Sequence, residues 1–172
     1  SYNLKEAEYV IRVLRRLSID FGFEGSIGVT TPFHLQADMI TKALERDSEL
    51  RNHLELHNQI LIDTVHKFQG DERDVIIFSP VVSEGTKSQS LMFLKSTGNL
   101  FNVAITRARS LLVTVGDKQY CKQCGVSYLE HFAEYSSGNE APVEVSEWEH
   151  ILQKALSDAG IPVTAQYHVD KY

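Results

Sequence analysis

The sequence predicts an α/β fold, a parallel sheet with helices on both faces, and three observations carry that prediction. Segments with helical spacing of apolar residues alternate with short strand-like runs over residues 1–135, the order that produces a parallel sheet with right-handed crossovers. Val75-Ile-Ile-Phe-Ser79 and Leu111-Leu-Val-Thr-Val115 are continuous apolar runs bounded by charge or glycine, which suits strands buried on both faces. The polar motifs follow strand ends, and ligands in such sheets sit beyond the carboxyl ends of the strands.

Asn3-x-x-Glu6 has the form of a capping box and opens a helix with Val10, Val13, Leu14 and Leu17 on one face. That helix should run to Asp20, where Phe21-Gly-Phe-Glu-Gly25 breaks it. Ser26-Ile-Gly-Val-Thr-Thr31 reads as a strand ended by Pro32. Helical spacing resumes at His34 and continues through Ile40 and Leu44 to Leu50. Gln59-Ile-Leu-Ile-Asp-Thr64 is the next strand, then the run at Val75. Glu84 to Ser90 is polar and reads as a loop. Gly98 to Ala108 reads as a helix, Leu111 to Val115 as a buried strand, and helical segments follow to Tyr135. Residues 136–145, rich in turn formers, read as a linker. Beyond it a helix from Ser146, with Trp148, Ile151, Leu152 and Leu156 inward, and a strand near Ile161-Pro-Val-Thr-Ala form a tail too small for its own core.

At 172 residues the chain can hold one full domain and part of a second unit. No apolar run approaches the ~18 residues that span a bilayer, and Ser1-Tyr-Asn-Leu-Lys-Glu6 lacks the form of a signal peptide. The expectation is therefore no membrane partner and a cytoplasmic, reducing location, nucleoid-associated if the source is bacterial. The net charge of -6 argues against strong independent nucleic-acid binding, which usually shows as a basic excess; any such role rests on a local groove or a partner domain. Cys121-Lys-Gln-Cys124 has the spacing of half a zinc site or a redox pair. A zinc site needs about four ligands, and with no second pair of cysteines the two are read as reduced thiols on a helix. No metal ligand is assigned.

Chemistry concentrates in two motifs, Asp63-Thr-Val-His-Lys-Phe-Gln-Gly-Asp-Glu-Arg-Asp74 and Asn102-Val-Ala-Ile-Thr-Arg-Ala-Arg109. Thr64 is a strand-end hydroxyl able to donate to a nucleic-acid phosphate. Gly70 lets the backbone come close to a ligand. Glu72 can accept from a ribose hydroxyl, as acidic groups do in other nucleotide sites. The plainer reading is a turn with a satisfied carboxylate. Arg107 beside an apolar run is a solvated charge or a positioned phosphate ligand, and Arg109 is suited to support the sheet edge or pair with a carboxylate.

Together with Gly28-Val-Thr-Thr-Pro-Phe-His-Leu-Gln36, these motifs make residues 1–135 resemble the second RecA-like motor domain (a P-loop NTPase fold) of a superfamily 1 helicase. Within that superfamily the chain most resembles the group that includes the RNA-surveillance and Okazaki-processing helicases. The Gly28 block resembles motif IV, with Phe33 in place of the more usual Tyr; the Thr64 block resembles motif V, with His66 where many members carry Asp; the Asn102 block resembles motif VI. The resemblance implies that Arg107 is an arginine finger, catalytic and nucleotide-binding, that Gly70 and Glu72 bind nucleotide, and that Thr31, Pro32, Thr64 and His66 lie on the single-stranded nucleic-acid path. It also implies ATP and Mg²⁺ in the full-length parent, 5′-to-3′ movement, and a partnership with the first RecA-like domain of the same chain. The sequence holds no Gly-x-x-x-x-Gly-Lys-Ser/Thr loop to cradle β- and γ-phosphates, so this fragment alone is expected to bind nucleotide poorly and hydrolyse none. From Ser146 onward the tail resembles the opening of a PD-(D/E)xK-type endonuclease module, with Glu149 at its first-helix acid; an amphipathic helix and edge strand packed on the motor domain is the alternative. That tail favours DNA over RNA. Rival functions are a RecA-like binding or regulatory module without hydrolysis, and the substrate-delivery part of a helicase–nuclease fusion.

Overall fold

The computed structural model describes residues 1–68, 70–135 and 163–165. The chain enters through Leu4–Arg15 (α1), which a wider π-type turn extends over Arg16–Asp20. The sequence predicts one helix to Asp20, and the change of winding has a local cause. Ser18 Oγ donates back to the Leu14 carbonyl at 2.8 Å, and the Phe21 amide reaches five residues back to Arg16 at 3.0 Å. Back-bonding serines bend helices, and π-turns take up the slack.

Ser26–Thr31 (β1) follows, then His34–Glu45 (α2) and Ser48–His57 (α3). The sequence predicts one helix from His34 to Leu50; the structure breaks it at Asp47. The Asp47 carboxylate accepts from the Leu50 amide at 3.1 Å, capping α3, and takes both Oδ atoms to Arg15 Nη2 at 2.8 Å. An Asp cap satisfies an otherwise orphaned helical N–H, and here the α1 guanidinium locks the break in place.

Gln59–Thr64 (β2), a 3₁₀ turn at Val65–Phe68 and Arg73–Phe78 (β3) come next. Ser88–Ser96 (α4) is a helix where the sequence predicts loop up to Ser90. Gly98–Ile105 (α5) stops three residues short of the predicted Ala108, and Ala108–Thr114 (β4) starts there instead. The Thr106 hydroxyl donates to the Asn102 carbonyl at 2.8 Å, closing the helix so that Arg107 lies in a turn and Arg109 on a strand. Lys118–Cys121 (α6) and Ser127–Tyr135 (α7) complete this part, and Val163–Ala165 (β5) returns to the sheet.

The sheet order is β2-β1-β3-β4-β5. The first four strands are parallel, as the alternation predicts, and β5 pairs antiparallel with β4. That pairing suits the edge-strand reading of the tail. The predicted linker and tail helix, including Trp148 and Glu149, lie outside the described residues.

Each central strand feeds two cores. In β3, Val75 and Ile77 join Val10, Leu14, Val29 and Leu54 on the α1–α3 face. Ile76 and Phe78 join Phe68, Phe101, Leu112 and Leu129 on the other. An uninterrupted apolar strand is what two covered faces require.

Gly28 decides how the chain after β2 can lie on this sheet. A Cβ there would come within 2.6 Å of both Ile76 Cδ1 and Phe68 Cε1, and 3.1 Å of Arg73 Cγ. The bare backbone is the seat for the Phe68 ring and the Arg73 stem. Gly28→Ala should therefore destabilise the chain by about 1–3 kcal/mol, the usual cost of overpacking a filled core. Urea unfolding of the 172-residue chain checks this; an unchanged midpoint would mean that Phe68 repacks freely.

Candidate functional site

The functional residues read from the sequence fall into two groups at opposite ends of the sheet. Strands of six residues span roughly 17 Å, so the groups are well separated.

At the carboxyl ends of β1 and β2, Thr31 and Thr64 are register partners, and both are buried. Thr31 Oγ1 accepts from the Phe33 amide at 3.4 Å. The Thr64 amide donates to Asp63 Oδ1 at 2.6 Å and its hydroxyl to the same oxygen at 3.3 Å. In this conformation the polar atoms of Thr64 turn to the neighbouring carboxylate. Pro32 is half-buried, and the exposed groups here are His66 and Lys67, on the 3₁₀ turn. Phe33 packs its ring against Phe93 of α4, centroids 5.5 Å apart.

The second group lies at the amino ends of β3 and β4, so the carboxyl-end rule misplaces it. The segment after β2 crosses the sheet over Gly28 before β3 begins. Gly70 sits in the crossing with φ +87° and nothing within 4 Å of a would-be Cβ; its role is the left-handed turn, which an L-residue adopts only with strain. The Arg73 amide donates to the Arg107 carbonyl at 2.9 Å, so one sheet hydrogen bond ties the Glu72 motif to the Arg107 motif.

Three guanidinium groups and three carboxylates gather at this edge. Arg73 is paired through Nη1 and Nη2 with Asp71 at 2.9 and 2.8 Å. Arg109 Nε meets Glu72 Oε2 at 3.3 Å, and its Nη1 lies 3.9 Å from Asp74 Oδ1. Burial alone would raise the Asp74 carboxyl, but hydrogen bonds from Ser26 and the Arg109 charge overcome it and hold Asp74 below its usual range. Arg107 is left over. Among the described residues it has no carboxylate partner; its Nη2 meets only the Thr106 hydroxyl at 3.4 Å, and its Nε, like that of Arg73, is buried without a hydrogen-bond partner. A guanidinium with no carboxylate partner keeps its outer nitrogens available to an anionic ligand. The pairing of Arg109 with carboxylates agrees with the sequence reading of that residue.

A buried polar network that the sequence did not reveal lies at the carboxyl ends of β1 and β3. Asn3 caps α1 as predicted, accepting from the Glu6 amide at 3.2 Å, but the box does not close through the Asn3 amide. That amide donates to Gln36 Oε1 at 2.7 Å. Glu6 Oε2 turns inward and accepts from Ser79 Oγ at 2.6 Å and the Val81 amide at 2.9 Å. Gln36 Nε2 donates to Ser79 Oγ at 3.0 Å. Burial pushes the Glu6 carboxyl up from 4.5 to about 7, against the opposing pull of Ser79 and Val81. Val81 itself has φ +59°. A Glu three residues after an Asn was the available signal, but long-range partners outcompete the local box.

Cys121 and Cys124 are free and buried. Burial pushes the Cys121 thiol up to about 12 and raises Cys124 as well, which disfavours the reactive thiolate form. Among the described residues no group of three or more His, Cys, Asp or Glu side chains could hold a metal ion, and no helix is long and apolar enough to cross a membrane.

The parallel α/β sheet and the two motif clusters define a RecA-like helicase motor domain. Comparison with known proteins agrees. An AAA domain family matches residues 1–119, and the chain belongs to that family. It is 38% identical over 116 residues to the DNA polymerase alpha-associated DNA helicase A of Saccharomyces cerevisiae, a match covering 67% of this chain and 16% of that protein. It is 36% identical over 125 residues to helicase sen1 of Schizosaccharomyces pombe, covering 71% of this chain and 7% of that one. With regulator of nonsense transcripts 1 of Dictyostelium discoideum it shares 33% identity over 132 residues, covering 76% and 10%. The chain is thus related to superfamily 1 helicases through their C-terminal motor domain, and it spans a small fraction of the length of these relatives.

Proposed function

We propose that the chain is the second motor domain of an ATP-dependent helicase, completing an ATP site with a first RecA-like domain of the same full-length protein and gripping single-stranded nucleic acid. The observation that carries this reading is the sorting of charge at the amino edge of β3 and β4. Two guanidiniums are matched to carboxylates, and Arg107 alone of the three has no carboxylate partner among the described residues. A planar, permanent cation so kept suits the charge that develops on a transferring phosphoryl group.

ATP, when bound, supplies the phosphoanhydride that is cleaved. This chain's part is to orient and to neutralise: Gly70 gives the turn that lets backbone approach, Glu72 accepts from the sugar, and Arg107 faces the γ-phosphate. The phosphate-binding loop and the groups that hold Mg²⁺ belong to the first domain in this reading, so the fragment alone hydrolyses nothing. At the other end of the sheet, Thr31, Pro32, Thr64 and His66 form the nucleic-acid side, with Thr64 released from Asp63 when a phosphate arrives. Nucleotide and strand are then handled at opposite ends of one rigid sheet.

DNA is favoured over RNA, supported by the nuclease-like character of the tail sequence around Glu149 and by the name of the yeast relative, a DNA helicase. ATP hydrolysis by the full-length protein, alone and with single-stranded DNA or RNA, tests the reading. Stimulation by single-stranded DNA above RNA is expected. Absence of hydrolysis under every condition would replace the motor with a non-hydrolysing RecA-like binding or regulatory module.

A further inference from the structure

We infer that Arg109 is a positioning residue that aims Glu72 at the nucleotide sugar, and so sets the preference for a ribonucleotide over its deoxy forms. The inference rests on the reading of Glu72 as the sugar contact and goes beyond it to the group that makes the contact selective.

Glu72 is exposed and lies on the crossing segment, outside β3. A carboxylate on such a segment has many rotamers, and fixing one side chain of this length costs appreciable entropy. Selectivity for a hydroxyl requires that cost to be met before the ligand arrives. Arg109 meets it from the adjacent strand through Nε and Glu72 Oε2 at 3.3 Å. The Arg109 side chain is itself held against Asp74, at 3.9 Å.

Asp74 is the fixed point of the chain. Its Oδ2 accepts from the Ser26 amide at 2.8 Å and the Ser26 hydroxyl at 2.6 Å, and its own amide donates to Ser26 Oγ at 2.9 Å. Ser26 opens β1, so the line Ser26–Asp74–Arg109–Glu72 runs from the start of one strand, through the starts of two others, to the carboxylate. On the other side Arg73 is closed on Asp71 and competes for Glu72 only through its backbone carbonyl, at 3.4 Å.

Stability does not explain this arrangement. Arg109 and Glu72 are more than half exposed, at 58% and 51%, and open pairs contribute little to folding. The same pair beneath a second domain would be screened far less. Its geometry serves aim: a guanidinium takes one carboxylate oxygen by a directed N–H, and lysine's rotating ammonium would not set the same orientation.

The test is equilibrium binding to the full-length protein of ADP, 2′-deoxy-ADP and 3′-deoxy-ADP, which involves no hydrolysis. Glu72→Gln should lower the preference for ADP over one of the deoxy forms about tenfold, the usual effect of losing a charged hydrogen bond. Arg109→Met should lower the same ratio to a similar extent, and the double variant should fall no further than Glu72→Gln alone, the mark of residues acting as one unit. A Glu72→Gln protein with the wild-type ratio would remove Glu72 from the sugar and the inference with it. If Glu72→Gln loses the preference but Arg109→Met keeps it, the reading of Glu72 stands and the role of Arg109 is overturned. A merely structural arginine would weaken all three ligands alike and leave the ratio unmoved.

Discussion

Arg107→Ala in the full-length protein is expected to lower strand-stimulated ATP hydrolysis by ~10³–10⁵-fold, the range measured for arginine fingers in nucleotide hydrolases, while ATP binding changes far less. The direction follows from the charge pattern at the amino edge. Removing Arg73 or Arg109 would strand Asp71, or Glu72 and Asp74, without their partners. Removing Arg107 strands no carboxylate among the described residues, and it deletes a buried Nε that has no hydrogen-bond partner there. Folding should therefore tolerate the change, and the loss should appear in turnover. Arg107→Lys should recover little, since an ammonium cannot reproduce the planar fork of a guanidinium. Steady-state hydrolysis together with nucleotide affinity separates the two effects. Normal turnover in Arg107→Ala would refute the finger.

The second large effect concerns Glu6 and has a defined sign. Burial raises its carboxyl from 4.5 to about 7 in the folded chain, so the folded state holds a proton that the unfolded state releases. Stability from this group is complete below pH 4.5 and declines as pH rises towards 7, then levels off. The full difference is on the order of 3 kcal/mol. The paired carboxylates Asp47 and Asp74, held below their usual range, act in the opposite sense and at lower pH. Glu6→Gln isolates the buried group. Urea midpoints of the 172-residue chain from pH 5 to pH 8 should fall in the wild type and stay nearly level in Glu6→Gln. Parallel curves would show that Glu6 is ionised in the folded chain throughout.

Much of this was legible in the sequence where local chemistry decides the outcome. The runs at Val75 and Leu111 required two covered faces and received them, and Thr31-Pro32 and Gly25 bounded β1 as turn formers do. Breaks were missed where a distant partner decides. Asp47 ends α2 because Arg15, on another helix, holds it there. The Asn3–Glu6 box opens because Ser79 and Gln36 outbid the local bond. The turn of Thr64 towards Asp63 went unread because its burial comes with the pairing of β2 on β1. The residues of the candidate site were named from the sequence. Their division between the two ends of the sheet was not, because it arises from the crossing over Gly28, which only the packed structure displays.

The hydrogen bond between the Arg73 amide and the Arg107 carbonyl bears on which parts of the chain can change length. It ties together in space two residues that lie 34 positions apart in the chain, and the connection between β3 and α5 plays no part in that tie. The turn at Ser83–Thr86 and helix α4 hang from the far end of the sheet. Insertion of residues at that turn should leave the spacing of Glu72 and Arg107 unchanged, whereas α4 is held by Leu94 in the second core. That segment reaches the carboxyl end of β1 through the contact of Phe93 with Phe33.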